Sequence, residues 1–199
     1  EEVAVGRNQT FETSTVVTAA RDLFWDRGYE ATSVADLEDA TGVHRSSLYH
    51  AFGSKRGLFD AAVQDYLDTV IRPRLRVLTG PTAGTRGLLA YVDGLRSAVR
   101  ALPEDSPRRG CLLVNCAAGL AGHDDAARAV VDDYRAELTA ALRHSLAVAG
   151  APDEIDERAI ILSSLTISAM LLARINREAA DLVLGTARRH VLEWTADSR

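Results

Sequence analysis

Apolar residues recur along this chain at three- and four-residue spacing, the period of a helix with one buried face, and no stretch sustains the alternation of a strand. Val16, Ala19, Ala20, Leu23 and Phe24 predict a first helix over about 12–27, stopped by Gly28. Trp25 and Tyr29 flank that stop and read as core. A short second helix runs from Val34 to Ala40, with Val34, Leu37 and Ala40 as its buried stripe. Ser33, with Asp36 three residues on, forms a capping box in which Asp replaces the usual Glu. Thr41-Gly42-Val43 breaks the pattern, and Gly42 suits the left-handed position that closes a helix. A third helix follows at once over about 45–52, with Leu48 and Phe52 facing inward.

Gly53 ends that helix, and Ser54 caps a fourth. Leu58, Ala61, Ala62, Tyr66, Leu67 and Val70 carry the fourth to Pro73, where a kink or an ending is expected because proline lacks the amide hydrogen. After the loop at 80–84, helices are expected over 85–101, 111–120, 124–149, 154–176 and 178–195. The longest polar break, Pro103 to Gly110, reads as a mobile loop. The pattern predicts an all-α chain of about nine helices, with a domain over 1–54 and a larger one over 55–199.

Composition narrows the class. The 199 residues are 47% hydrophobic and 26% charged, which suits a soluble globular protein. No run reaches the roughly 20 apolar residues that span a bilayer, and Glu1-Glu2-Val3 does not open a signal peptide, so a cytoplasmic protein with no membrane partner is expected. Cys111 and Cys116 are the only cysteines; on a helix their spacing gives a rise of about 7–8 Å and different faces, which rules out a bridge between them. The net charge of −5 argues against nucleic acid at first sight. Its distribution does not. From Thr41 through Phe59 there is no acid, while Arg45, Lys55 and Arg56 are basic, with His44 and His50 beside them.

Two short helices joined by a Gly-containing turn are the elements of a helix-turn-helix. Packing through Val34, Leu37, Ala40, Val43 and Leu48 leaves the outer face of the second helix free for a major groove. His44, Arg45, Ser46, Ser47, Tyr49 and His50 lie on that face: a guanidinium able to read guanine, hydroxyls for bases or phosphates, and a phenol for phosphate. Thr32 and Ser33 sit at a helix N-terminus, where amides and the dipole favour a phosphate, and Lys55 starts the next helix. The plain alternative is a helical hairpin with solvated polar faces.

The stretch from Glu12 to Tyr66 resembles the N-terminal domain of the TetR family of bacterial one-component repressors. The resemblance rests on A-A-R-D-L-F-W-D-R-G-Y-E-A-T-S-V, then A-T-G-V, then S-S-L-Y-H-A-F-G-S-K-R-G-L-F. It implies phosphate anchoring by Thr32, Tyr49 and Lys55, and base reading by His44 to Ser47. It also implies a cavity for an unidentified small-molecule effector in the body, and a homodimer on double-stranded operator DNA through the last two long helices. Ile155, Ala159, Leu162, Thr166, Ala169, Leu172 and Ala173 form one apolar stripe, and Ile160, Ser164, Ile167, Leu171 and Ile175 a second. A helix apolar on two sides buries both, one within the subunit and one against a partner, unless it is the core helix of a monomer.

Arg109 to Asn115 resembles the R-G-C-L-x-x-N stretch of a TetR subgroup that includes NemR-like and AcuR-like regulators. Cys111 is then either a reactive thiol activated by Arg108, Arg109 and a helix N-terminus, or a small buried hydrophobe. Tyr66, Tyr91, Cys111, Asn115 and Cys116 are candidate effector contacts, as are His123, Tyr134, Met170 and Arg174; each has an ordinary core or surface reading beside it. No nucleophile elbow, phosphate loop or metal-ligand spacing occurs, so no catalytic residue, cofactor or metal is expected and the chain reads as no enzyme. A helical adaptor that kept the fold without binding DNA remains the competing function.

Overall fold

A computed structural model describes residues 12–150 and 154–196, so the reading of Glu1-Glu2-Val3 lies outside the described residues. Among these residues every regular element is helical: α1 (Thr13–Arg27), α2 (Val34–Thr41), α3 (Arg45–Phe52), α4 (Lys55–Tyr66), α5 (Arg72–Thr79), α6 (Thr85–Ala101), α7 (Leu112–Ala118), α8 (Asp125–Val148), α9 (Ile155–Ile175) and α10 (Arg177–Ala196). Between α4 and α5 the chain continues through a π-helical turn, Leu67–Ile71, so these segments make one bent rod and the described residues hold nine rods. The bend expected at Pro73 is therefore spread over the preceding turn. The wider π spacing there accommodates the amide that proline lacks, and Pro73 enters the first turn of α5, where no donor is needed.

The N-terminal unit is built on aromatic packing. Phe24 on α1 meets Phe59 on α4 edge-on at 5.1 Å between centroids, and Trp25 meets Tyr66 at 4.8 Å. Phe24, Leu37, Leu48, Leu58 and Tyr66 are almost wholly buried, so α1 and α4 clamp the short α2 and α3 between them. In α2 only Leu37 is buried; Ala40, expected in the stripe, is exposed, because an eight-residue helix presents barely two turns to its neighbours.

Ala159, Leu162, Thr166, Ala169 and Ala173 of α9 are buried against the body, while Ile160, Ser164, Leu171 and Ile175 face outward. By length and composition α9 is apolar enough to cross a membrane, with a mean hydropathy of 1.6, which corrects the expectation that no segment reaches that level. It packs along both α8 and α10 and starts with Asp156 and Glu157, and less than half of its apolar window is buried.

The stretch from Pro103 to Gly110 is tied down. Arg108 pairs with Asp22 at 2.6 Å, and the Arg109 carbonyl accepts from Trp25 Nε1 at 3.1 Å. Gly110 has φ 74°, and a β-carbon there would stand 2.5 Å from the Met170 carbonyl oxygen, so the loop lies flush on α9.

Candidate nucleic-acid interface and interior cavities

The turn between α2 and α3 is held from both sides. Ser33 Oγ accepts from the Asp36 amide at 3.1 Å, and the Asp36 carboxylate accepts from the Ser33 amide at 2.8 Å. The Ser33 hydroxyl, which donates to the Asp36 carboxylate at 2.6 Å, then the Ser33 amide and Arg27 at 2.7 Å, hold the Asp36 carboxyl below the usual carboxylate range. Gly42 takes the left-handed conformation (φ 69°, ψ 15°) and its amide donates to the Glu38 carbonyl. Glu38 also caps α3: its carboxylate accepts from the Arg45 amide at 2.6 Å, using a donor that the start of any helix leaves free. Sequence reasoning did not single out Glu38; an acid seven residues before a helix start is a weak signal.

With α3 fixed in this way, its outward side chains are bare. His44, Arg45, Ser46, Ser47 and His50 are exposed, and Tyr49 is half-buried. The Arg45 guanidinium lies over the Tyr49 ring, 5.0 Å from its centroid, and Lys55 Nζ over the Tyr29 ring at 4.3 Å. Burial there lowers the Lys55 pKa against the opposing pull of Glu30 and Asp36. Gly57 holds α4 close to α3, since a β-carbon at that position would collide with the Phe52 carbonyl oxygen.

Arg56 and Thr32 behave differently from the pattern. Arg56 turns toward the body and bridges Asp60 and Asp124, the cap of α8, which holds its pKa up. Thr32 is fully buried and donates its hydroxyl to the Gly28 carbonyl at 2.7 Å. Its side chain therefore closes the α1–α2 corner and is turned away from the surface where the phosphate contact expected of it would lie.

Behind this head lie narrow cavities. An inner one, with room for little more than a single water molecule, is lined by Tyr66, Tyr91, Cys111, Tyr134, Thr166 and Met170, together with Arg74 and three aliphatic side chains. Five of the candidate contacts are thus brought together. Burial pushes the Tyr91 phenol up, and the Tyr66 and Tyr134 phenols well up, with the Cys111 thiol beside the last two. Tyr66 Oη lies beside the Cys111 thiol and the Leu112 backbone without a well-aligned hydrogen bond. A second, similarly narrow cavity shares Arg74, Leu95 and Met170 with the first and adds Arg108, Arg109, Gly110 and Arg177.

The other candidates lie elsewhere. Cys116 lines a separate pocket with Arg56, Phe59 and Leu113, where burial pushes its thiol up to about 11. Asn115 donates to the Trp25 carbonyl, and His123 is exposed beyond the end of α7. Arg174 donates to the carbonyls of Trp25 and Asp26, capping the end of α1, so neither an anion nor a partner subunit is needed to explain it. Cys111 is 1% exposed and Arg108 is committed to Asp22, which favours the buried-hydrophobe reading over a reactive thiol. Arg74 and Thr166 are lining residues that sequence reasoning missed. Arg74 sits in a run, R-P-R-L-R, that looks like a solvated face, and Thr166 was placed in a core stripe.

Comparison with known proteins bears on both parts. Residues 16–62 match the family model of bacterial regulatory proteins of the tetR family. An HTH-type transcriptional regulator of Bacillus subtilis, YezE, is 30% identical over 161 residues, covering 81% of each chain. The transcriptional repressor BdcR of Escherichia coli is 33% identical over 129 residues, 65% of this chain and 62% of its own. Among solved structures, the TetR family transcriptional regulator CifR, in a cysteine-substituted form complexed with 26-bp operator DNA, superposes with a TM-score of 0.78 at 31% identity, over 92% of this chain and 98% of its own. Reduced NemR of E. coli superposes with a TM-score of 0.74 at 21% identity, a likeness of fold.

Proposed function

This chain belongs to the TetR family of bacterial transcriptional regulators, and from that premise we propose that it is a ligand-responsive repressor that grips operator DNA as a homodimer in the cytoplasm. The observation that carries the reading is the outward face of α3, where five polar side chains stand exposed beside Tyr49 and Lys55 on a rigidly capped turn. In this reading residues 1–54 form the reading head and 55–199 the body that controls it. Tyr49 and Lys55 anchor phosphates, with the Ser33 end of α2 offering backbone amides; Arg45 reads a base, flanked by His44, Ser46, Ser47 and His50. Lys55 and Arg45 rest on aromatic rings in the free protein, contacts worth about 0.5–1 kcal/mol each at exposed sites, so both are released cheaply onto DNA.

The apolar outer faces of α9 and α10 join two copies, which sets two recognition helices for two half-sites. Operator release follows occupation of the cavity that Tyr66, Tyr91 and Tyr134 line. The R-G-C-L-x-x-N segment, whose Cys111 lines that cavity, supports a kinship with the NemR-like and AcuR-like regulators. Salt-dependent binding to DNA upstream of its own gene tests the reading. A steep loss of affinity with salt, and an operator of two related half-sites, are expected. A chain that dimerises but ignores all DNA is the helical adaptor instead.

A further inference from the structure

The second cavity is lined by Arg74, Arg108, Arg109 and Arg177 and by no acid. Several other half-buried arginines meet carboxylates: Arg21 with Asp65, Arg56 with Asp124, Arg96 with Asp181, Arg188 with Asp93; Arg158, over the Trp194 ring, does not. Arg74 has no ion pair or hydrogen bond among the described residues. Arg109 keeps its Nε buried and unpartnered, and Arg177 donates only to the Leu102 carbonyl. Arg108 has Asp22 as its anion, whereas the other three guanidinium groups of the cluster have none and lose hydration without that compensation. A second orphan lies further in. Tyr66 is fully buried, its hydroxyl beside the Cys111 thiol and the Leu112 backbone but without a well-aligned hydrogen bond, in a cavity that shares Arg74, Leu95 and Met170 with the arginine-lined one.

From these two sets of unmet groups we infer that the joined cavities take an organic carboxylate: the anionic head between Arg74 and Arg109, the apolar body among Met170 and the phenols, and any second polar group on Tyr66 Oη. The inference rests on the ligand-responsive reading above and names the chemistry of its effector. Guanidinium groups bind carboxylates with paired, charge-assisted hydrogen bonds, and a phenol-lined wall favours an alkyl or aryl body.

The site also has a route to the head. The loop that supplies Arg108 and Arg109 holds the end of α1, through Arg108 to Asp22 and through the Arg109 carbonyl to Trp25 Nε1. Arg174 donates to the same Trp25 carbonyl that Asn115 holds. A carboxylate that draws Arg109 inward pulls on Trp25, and so on the helix against which α2 and α4 are packed. By reciprocity, operator binding lowers affinity for the carboxylate by the same factor that the carboxylate lowers affinity for the operator.

Calorimetric titration of the full chain, first without DNA, tests the site. The probes are butanoate, octanoate and phenylacetate, each against its uncharged amide. At least one carboxylate is expected to bind about tenfold more tightly than its amide, a difference of about 1.4 kcal/mol. Arg74→Gln and Arg109→Gln should each reduce that preference to about threefold or less while amide binding persists, and Arg109→Lys should restore part of it. Equal affinity for acid and amide, no binding by any carboxylate, or a preference that survives both substitutions overturns the inference; unchanged helical circular dichroism guards against misfolding. Repeating the titration on the operator complex reads the coupling, which Trp25→Phe should weaken. Coupling unchanged in Trp25→Phe removes the route through α1. Carboxylate binding in a protein that ignores DNA would overturn the repressor reading and leave the site standing.

Discussion

Two faces of this molecule stand without a partner, and their chemistry is opposite. The outer face of α3 is polar and movable: His44 is 96% exposed, and Arg45 and Lys55 rest on neighbouring rings from which they can swing away. The outer faces of α9 and α10 are apolar and fixed, with Ile175 75%, Leu182 68% and Ile160 57% exposed. The first face costs nothing in water and gains only when phosphates and base edges replace solvent. The second loses about 25 cal/mol for every Å² it leaves wet, and that loss is recovered only by covering it. A face of the first kind suits a partner that must be found and released, and one of the second kind suits a partner kept throughout.

The largest expected effect comes from breaking the apolar face. Ile175→Glu together with Leu182→Glu places charges where a copy of the chain should pack, and is expected to give a monomer in light scattering. Operator affinity should then fall about 100-fold or more, since one half-site is lost. A double variant that stays dimeric, or a monomer that keeps full affinity, breaks the contrast between the faces.

Substitutions on the polar face should divide it further. Arg45→Ala is expected to cost about 1–3 kcal/mol at one operator base pair and to relax the preference there. Lys55→Ala should weaken all sequences alike and reduce the salt slope by about 1. A matrix of operator variants against both substitutions separates these outcomes. Equal losses across every variant for both would leave α3 as an anchor without a reader.

The two faces were also unequally legible. The head is made of neighbours in sequence: Ser33 caps three residues on, Gly42 closes its own helix, and Leu37 and Leu48 sit at helical spacing, so period and cap chemistry suffice. The outward stripe of α9 follows from the same period, and only its exposure had to be seen. The cavity is different. Tyr66, Tyr91, Cys111, Tyr134 and Met170 come from five separate stretches of the chain, and no spacing distinguishes them from His123 or Asn115, which lie outside it. Arg74 escaped notice because an arginine among exposed arginines has no sequence mark of its missing carboxylate. Thr32 shows the reverse case. A hydroxyl at a helix start suggests a phosphate, yet here it satisfies the Gly28 carbonyl inside the fold.

A smaller effect tests how the apolar face is braced. Asp181, next to Leu182, accepts from Arg96 at 3.0 and 3.1 Å and from Arg100 at 2.7 Å, which clamps α10 to α6 and holds its carboxyl down to about 2. A depressed carboxyl stabilises the fold above its ordinary pKa of 3.8, and that contribution fades as pH falls through about 2. Asp181→Asn should therefore cost about 1–2 kcal/mol near neutral pH, with allowance for the exposure of Arg100, and should flatten the loss of stability between about pH 4 and pH 2. An unchanged acid limb in denaturation curves would show that the clamp does no such work.

The smallest effect belongs to the head. Ser33→Ala removes one half of the capping box and leaves the Asp36 amide without its acceptor, which is expected to cost about 1 kcal/mol of stability. Asp36 would keep its bond to Arg27 but lose the Ser33 hydroxyl, so its carboxyl should titrate closer to its ordinary value. Because the cap sets where α2 starts rather than which base α3 meets, every operator variant should weaken by the same few-fold factor. Dimerisation, which depends on the other face, should not change. A Ser33→Ala protein that altered base preference would mean that the start of α2 reads sequence, and that the polar face extends beyond α3.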